Sequence, residues 1–491
     1  MGSIGPAFSS STPHVAFLGL GAMGFAMSTH LVRTGIQVTG FDIFQPTLDR
    51  WQQECTKIQQ SENPKAKFST TTSGSEAVKS GANIVILMVA THHHVNSALF
   101  DSGAVRDLPQ DVPVIIMATV PPTHPGEVRQ RLTEEFGRPD IKLIDAPVSG
   151  GVARSQNGTL TIMASSNDSE NMQHPLVSTC LKTLSNNGAT LYPIPGSLGA
   201  GTSAKALNQV QCGIHIVGAS EIMVLAALAG LNTTQFSQTV ATDVMDSSTG
   251  KERHPYGWTW MFTNRAPRML DPALPIASAI SIINKDVGII YDEEARLKTE
   301  LPLLNAAHSQ LKICMDSGIA GWDDAFITKY YLDPSLKNEQ KQQLVVEHAQ
   351  EGYTADADAD TEQIVLQAHC LINLISAYET VKFAEALDLM GPRQRAMWSE
   401  LIAGAAGGST VFSEVIQHVF EASNWHDGFK IYARNQVGAG KAWDIEKVEG
   451  LLKKAKQANP DFEPKLVEQA IKLIREVLLD WICHGAQDEK S

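Results

Sequence analysis

Cysteine is scarce and scattered in this 491-residue chain. Cys55, Cys180, Cys212, Cys314, Cys370 and Cys483 form no CxxC pair and no metal-like spacing, which speaks against a disulfide framework or a zinc site and for a reducing compartment. Positive charge is also short. With 39 Lys and Arg against 53 Asp and Glu the formal net charge is −14, so neither nucleic acid nor an anionic membrane is an expected partner, because both are met by basic patches. No Lys or Arg precedes Arg33; the basic start of a secretory signal and an Arg-rich presequence are therefore missing, and the cytoplasm is the expected compartment. Long apolar runs are lacking too: residues 84–90 are too few for a membrane span, and 214–229 are interrupted by His215 and Glu221.

What is present is an ordinary globular composition, 43% hydrophobic and 19% charged, at a length that suggests about three domains. Residues 1–13 read as a tail. From 14 to 195, short β-rich runs (VAFLGL, QVTGFD, IVILMVA, VIIMAT, KLIDAP) alternate with helical periodicity, which predicts an α/β domain with a Rossmann-type doubly wound parallel sheet covered on both faces. Residues 196–332 turn to long helical periodicity and predict an all-α domain. The polar stretch 333–362, with Pro334, Gly352 and the acidic run around Asp356, Asp358 and Asp360, is expected to be a linker. Residues 363–491 read as a second all-α domain. Gln209, Cys212, Ile214, Ala219, Glu221, Ala226 and Leu231 recur as Gln367, Cys370, Ile372, Ala377, Glu379, Ala384 and Leu389 at one offset of 158 residues, so this domain is expected to repeat the first.

The chemistry begins at Gly19-Leu20-Gly21-Ala22-Met23-Gly24, between a strand and an apolar-periodic helix. Glycines there permit a tight turn and close approach of a pyrophosphate to the helix N-terminus, whose free N–H groups favour negative charge. Asp42, ending the next strand, completes the pattern: a carboxylate there accepts from ribose hydroxyls and repels a 2′-phosphate, which predicts NAD in preference to NADP. The Ser149-Gly150-Gly151 turn offers a hydroxyl and consecutive backbone N–H groups suited to a carboxylate. Lys205 lies among Ala204, Ala206 and Leu207, where partial burial would favour the neutral amine needed for acid–base work. Asn208, three residues on, is expected on the same helix face and on the same substrate.

These motifs together resemble the β-hydroxyacid dehydrogenase family, which includes 3-hydroxyisobutyrate, tartronate semialdehyde and L-threonate dehydrogenases. The stretch Asp145-Ala146-Pro147-Val148-Ser149-Gly150-Gly151 through Gly158-Thr159-Leu160 is similar to the family's substrate signature, and Gly196-Ser197-Leu198-Gly199-Ala200-Gly201 followed by Lys205-Ala206-Leu207-Asn208 to its catalytic-lysine stretch. Lys285-Asp286 resembles the late lysine that closes the site against the cofactor. The resemblance covers about residues 14 to 330. It implies oxidation of a small hydroxy acid by NAD, with NADP possible: Lys205 as general base beside Asn208, the substrate on Ser149, Gly150, Gly151 and Thr119, and the cofactor along Gly19 to Gly24, Asp42, Val89, Ala90, His94, Thr119 and Lys285.

The chain departs from the family at three places. Ala118-Thr119 stands where Ser-Thr is common, Asn208-Gln209 where Asn-Asn is common, and Val89-Ala90 where an apolar residue precedes Pro. The alternatives are a 6-phosphogluconate dehydrogenase-like enzyme, which shares the duplicated helical domain but has His-Asn at the 208–209 step, an imine-reducing relative, which usually lacks the lysine, and a noncatalytic NAD(P)-binding protein. No metal is expected: His92-His93-His94 are three consecutive loop residues, and the Asp356 run lacks the glycine and glutamate of a calcium loop. Trp258, Trp260 and Phe262 could line a pocket or pack. The assembly is expected to be a homodimer, or a monomer whose second helical domain stands in for the partner.

Overall fold

The computed structural model describes residues 12–478 apart from 247–250, 256, 352, 354–356, 358, 392–396, 399, 403, 423 and 439–443. Two compact units result, Met1–Ala206 and Leu207–Ser491.

In the first unit six strands, β1 (His14–Leu18), β2 (Gln37–Phe41), β3 (Phe68–Thr70), β4 (Ile84–Leu87), β5 (Pro113–Ile116) and β6 (Lys142–Asp145), form one sheet in the order β3-β2-β1-β4-β5-β6. Every pairing is parallel. The order reverses at β1, and the crevice beyond the carboxyl ends of β1 and β4 is where such sheets bind ligands. The strands at 84–87 and 113–116 are apolar throughout because both faces are covered, one core resting on Trp51, Met27 and Leu31, the other on Leu99, Phe100 and Val128. The expected strands all form. The addition is β3, whose three residues have too little apolar content to stand out. A smaller sheet of β7 (Val148–Ser149), β8 (Thr161–Ala164) and β9 (Leu191–Pro193) follows.

The second unit is helical. Its two longest helices, Ala200–Leu228 (which starts in the first unit) and Ala359–Ala386, are apolar enough in composition to cross a membrane, yet 100% and 78% of their most apolar windows are buried inside the protein. They are core helices. The two helical regions expected as separate domains share this single unit, and the packing shows why. Glu221 on the first long helix accepts from the backbone N–H groups of Leu466 and Val467 at 3.1 and 2.8 Å, capping the helix Lys465–Leu473. Glu379, 158 residues later, accepts from Leu303 and Leu304 at 2.6 and 3.0 Å and caps Pro302–Asp316. Each region thus satisfies the exposed N–H groups of a helix in the other. The exchange recurs where Thr259 and Ser409, each the N-cap of its own helix, form an antiparallel bridge.

The expected linker is not a free strand of chain. Glu339–Gln342 and Leu344–Glu347 are short helices, and Val345 is buried. Thr233 donates its hydroxyl to the Val345 carbonyl at 2.8 Å, and Asp333 accepts from the N–H of Asn338 at 2.6 Å. The polar residues that suggested a linker serve as caps and turn formers. Asp360 pairs with Lys447 at 3.4 Å, while Asp356 and Asp358 lie outside the described residues.

Candidate functional site

Three glycines of the loop after β1 have different reasons to be glycine. A Cβ on Gly19, whose φ is +100°, would lie 2.4 Å from the Met88 carbonyl oxygen, and one on Gly24 would lie 2.0 Å from the Gly19 oxygen. Both are demanded by the protein's own backbone. A Cβ on Gly21 would meet nothing within 4 Å, and Gly21 is exposed at the N-terminus of the helix Ala22–Arg33. No protein atom requires that glycine, which leaves the space above it for a ligand group drawn to the free N–H groups and the helix dipole.

Asp42 sits beside this loop. Its Oδ2 accepts from the N–H of Leu20 at 2.8 Å and its Oδ1 from that of Phe44 at 2.9 Å. The carboxylate is thereby fixed at the end of β2. Next to it Ile43 and Phe44 are 89% and 61% exposed, an apolar step that invites the face of a flat ring; composition gave no hint of it. Ala22 is exposed and Met23 half-buried at the helix start. Val89, Ala90 and Thr119 follow the carboxyl ends of β4 and β5, around the same crevice. His94 lies in the first turn of the helix His92–Asn96, not on a loop, with Nδ1 2.9 Å from the hydroxyl of Thr91, the N-cap. The His92 and His93 rings touch in a tilted arrangement, 3.9 Å between centroids and 40° between planes.

The Ser149 turn is held by the small sheet. Ser149 ends β7 opposite Thr161 of β8 and is buried, Gly150 has φ +132° and Gly151 has φ +67°. A Cβ on Gly150 would overlap Arg154 at 2.7 Å, whereas Gly151 is exposed with open space where a Cβ would point. The ends of β6 and β8 anchor the helix that carries Lys205. Asp145, fully buried at the end of β6, accepts from the N–H of Thr202 at 2.8 Å and from its hydroxyl at 2.6 Å, and Ser165 takes the Gly201 N–H at 2.9 Å. Burial pushes the Asp145 carboxyl up to about 6 against these donors. A Cβ on Gly201 would lie 2.4 Å from the Met163 oxygen, so the helix starts as close to β8 as backbone allows. Lys205, one turn in, is only 6% exposed. Asp145 was legible only as the first letter of the motif; its role as helix anchor is structural information.

Asn208 does not have the freedom expected of a substrate ligand. It is fully buried, its Oδ1 accepts from the Gly407 N–H at 2.8 Å, and its Nδ2 faces Gln209 Oε1 at 3.2 Å and Cys212 Sγ at 3.4 Å. Its amide is committed to the interior. Gln209 donates to Asp286 Oδ2 at 2.5 Å, and Lys285 Nζ lies 2.8 Å from Asp286 Oδ1. Trp258 stacks on His254 at 3.8 Å and Phe262 meets Phe236 edge-on, so both pack in the helical interior. Among the described residues no cluster of His, Cys, Asp and Glu is arranged to hold a metal ion.

Residues 14–190 match the family model described as the NAD binding domain of 6-phosphogluconate dehydrogenase, and 199–331 match that described as NAD-binding of NADP-dependent 3-hydroxyisobutyrate dehydrogenase. An L-threonate dehydrogenase of Cupriavidus necator is 29% identical over 320 residues, 65% of this chain and 96% of its own. A solved 3-hydroxyisobutyrate dehydrogenase from Salmonella typhimurium, 25% identical, aligns over 64% of this chain and 99% of its own with a TM-score of 0.52. The 6-phosphogluconate dehydrogenase of Plasmodium falciparum, 12% identical, shares the fold over 95% of this chain and 92% of its own with a TM-score of 0.61.

Proposed function

The chain is a member of the β-hydroxyacid dehydrogenase family, an NAD(P)-dependent oxidoreductase acting on a CH–OH group, and from that premise we propose that it oxidises a small hydroxy acid of the threonate or 3-hydroxyisobutyrate kind, with Lys205 as the proton acceptor. The observation that carries the reading is the burial of Lys205 one turn after a helix start that Asp145, at the end of β6, and Ser165, just after β8, pin in place. An amine held in a fixed place and largely shielded from water is what a general base requires.

The glycine loop fits a dinucleotide. Gly21 and the N–H groups of Ala22 and Met23 would hold its pyrophosphate, Asp42 its ribose, and Ile43 and Phe44 would offer an apolar face to its adenine. Asp42 favours NAD over NADP by the charge argument already given. When bound, the nicotinamide supplies the hydride acceptor. The chain's own residues do the rest: Ser149 with the N–H groups of Gly150 and Gly151 grips the substrate carboxylate, Thr119 borders substrate and cofactor, and Lys205 Nζ takes the proton of the substrate hydroxyl. Asn208 acts behind this set, on the grounds of its burial.

We read the last third as a second copy of the helical region that stands where a partner subunit's domain would stand, because Glu221 and Glu379 cap each other's regions within one chain. The test is an initial-rate screen of small 2- and 3-hydroxy acids, 6-phosphogluconate and amines with NAD and NADP. Turnover of a small hydroxy acid with NAD ahead of NADP is expected. Turnover of 6-phosphogluconate or of amines alone, or binding of cofactor with no turnover, would overturn the reading.

A further inference from the structure

Four links of one polar chain run through the interior of the helical unit. The Gly407 N–H donates to Asn208 Oδ1 at 2.8 Å, Asn208 Nδ2 donates to Gln209 Oε1 at 3.2 Å, Gln209 Nε2 donates to Asp286 Oδ2 at 2.5 Å, and Lys285 Nζ sits 2.8 Å from Asp286 Oδ1. Asn208, Gln209 and Asp286 are all buried, and Lys285 is half-buried.

The direction of every link is dictated by its two ends. A backbone N–H can only donate and an ionised carboxylate can only accept. The Gly407 N–H therefore turns the Asn208 oxygen toward itself and its NH₂ group toward Gln209. The Gln209 oxygen must then face Asn208, which aims its own NH₂ at Asp286. Reversing both amides would set donor against donor at Gly407 and acceptor against acceptor at Asp286, and reversing one would clash at one end and between the two amides, inside a medium where an unsatisfied polar group is costly. Gln209 also stands four residues after Lys205 on one helix, so the two side chains share a face one turn apart. The longer amide is what spans the distance to Asp286: an asparagine at 209 would be one methylene short.

We propose that the last third of the chain is a positioning element of the active site, in which the Gly407 N–H, through Asn208, Gln209 and Asp286, sets the geometry of Lys285 and of the helix face that carries Lys205. Gly407 is suited to this because a Cβ there would lie 2.8 Å from both the backbone oxygen and Oδ1 of Asn208; only glycine lets the donor come close enough. The proposal rests on the reading of Lys205 as the proton acceptor.

The test uses the full-length enzyme with the best substrate from the screen. Asn208→Leu and Gln209→Leu keep side-chain bulk and remove the links, and each is expected to lower kcat between about tenfold and a hundredfold, the scale of a small misplacement of catalytic groups. The double variant should lose no more than the worse single one, because both break the same chain. Gln209→Glu should be impaired through repulsion from Asp286, and Asp286→Asn added to it should recover most of the loss by restoring a donor opposite an acceptor. NAD affinity by fluorescence titration is read in parallel and should stay near wild type, and kcat is measured well below each variant's melting temperature, which the buried groups left unpaired will lower. Wild-type kcat in both leucine variants, losses that simply multiply, no recovery in the Glu–Asn exchange, or a kcat loss that only follows a fall in melting temperature would each overturn the proposal. Full activity in Lys205→Ala would instead remove the catalytic reading on which it rests, so the two failures are distinguishable.

Discussion

At the scale of single residues, two carboxylates near the cofactor crevice do opposite things. Asp145 is buried and serves the helix that carries Lys205, accepting from Thr202 through both oxygens. Asp42 is half-buried and held by the Leu20 and Phe44 N–H groups, and in the proposed cofactor site its charge would oppose a 2′-phosphate. Replacing Asp42 by Ser is expected to weaken NAD and relax discrimination against NADP, since the repulsion disappears while a hydroxyl remains. The ratio of kcat/KM for the two cofactors measures this. A ratio equal to that of the wild type would take Asp42 out of the cofactor site.

At the scale of elements, the glycine loop, the parallel strands and the small-residue helix around Lys205 were legible because periodicity and local motif determine them. Strand β3 was not, because three residues carry no period. The interior role of Asn208 was hidden as well: helical spacing puts it on a face, but its partner Gly407 is 199 residues away in the chain, and no local pattern announces that contact. The linker was misjudged for a related reason, since Asp333 and Asn338 look like solvent-facing breakers until the N–H groups they accept from are known. The 158-residue offset that pairs Glu221 with Glu379 was visible in the sequence, though not the exchange of caps between the two regions. Those caps carry a prediction. Burial raises Glu221 to about 7 and Glu379 to about 8 from an ordinary value near 4.5. A carboxyl whose folded value is raised stabilises the fold fully below its unfolded value, and that contribution is lost as pH climbs through the folded one. Melting temperature should therefore fall between about pH 5 and pH 8, and the fall should shrink in Glu221→Gln/Glu379→Gln, whose amides stay neutral. The buried His215 and His369, lowered to about 3 and about 4, act in the opposite sense and remove stability as pH drops below their unfolded value near 6.5. An equally steep fall above pH 6.5 in the double Gln variant would show that these two caps do not govern it.

For the molecule as a whole, a nucleotide-binding unit and a helical unit share one helix, with the proposed base Lys205 at the end of the first and Gln209 at the start of the second. The net charge of −14 and the fold both suit a small-molecule enzyme, and the two helical regions interlock through the caps that Glu221 and Glu379 provide. The central claim is that Lys205 takes the substrate proton, and the direct measurement is steady-state turnover of Lys205→Ala and Lys205→Arg beside NAD binding by fluorescence. The account predicts that alanine lowers kcat at least about a hundredfold, that arginine does not restore it because a guanidinium keeps its proton, and that both variants bind NAD as the wild type does. Turnover within a few-fold of wild type in Lys205→Ala, with NAD affinity unchanged, would contradict it.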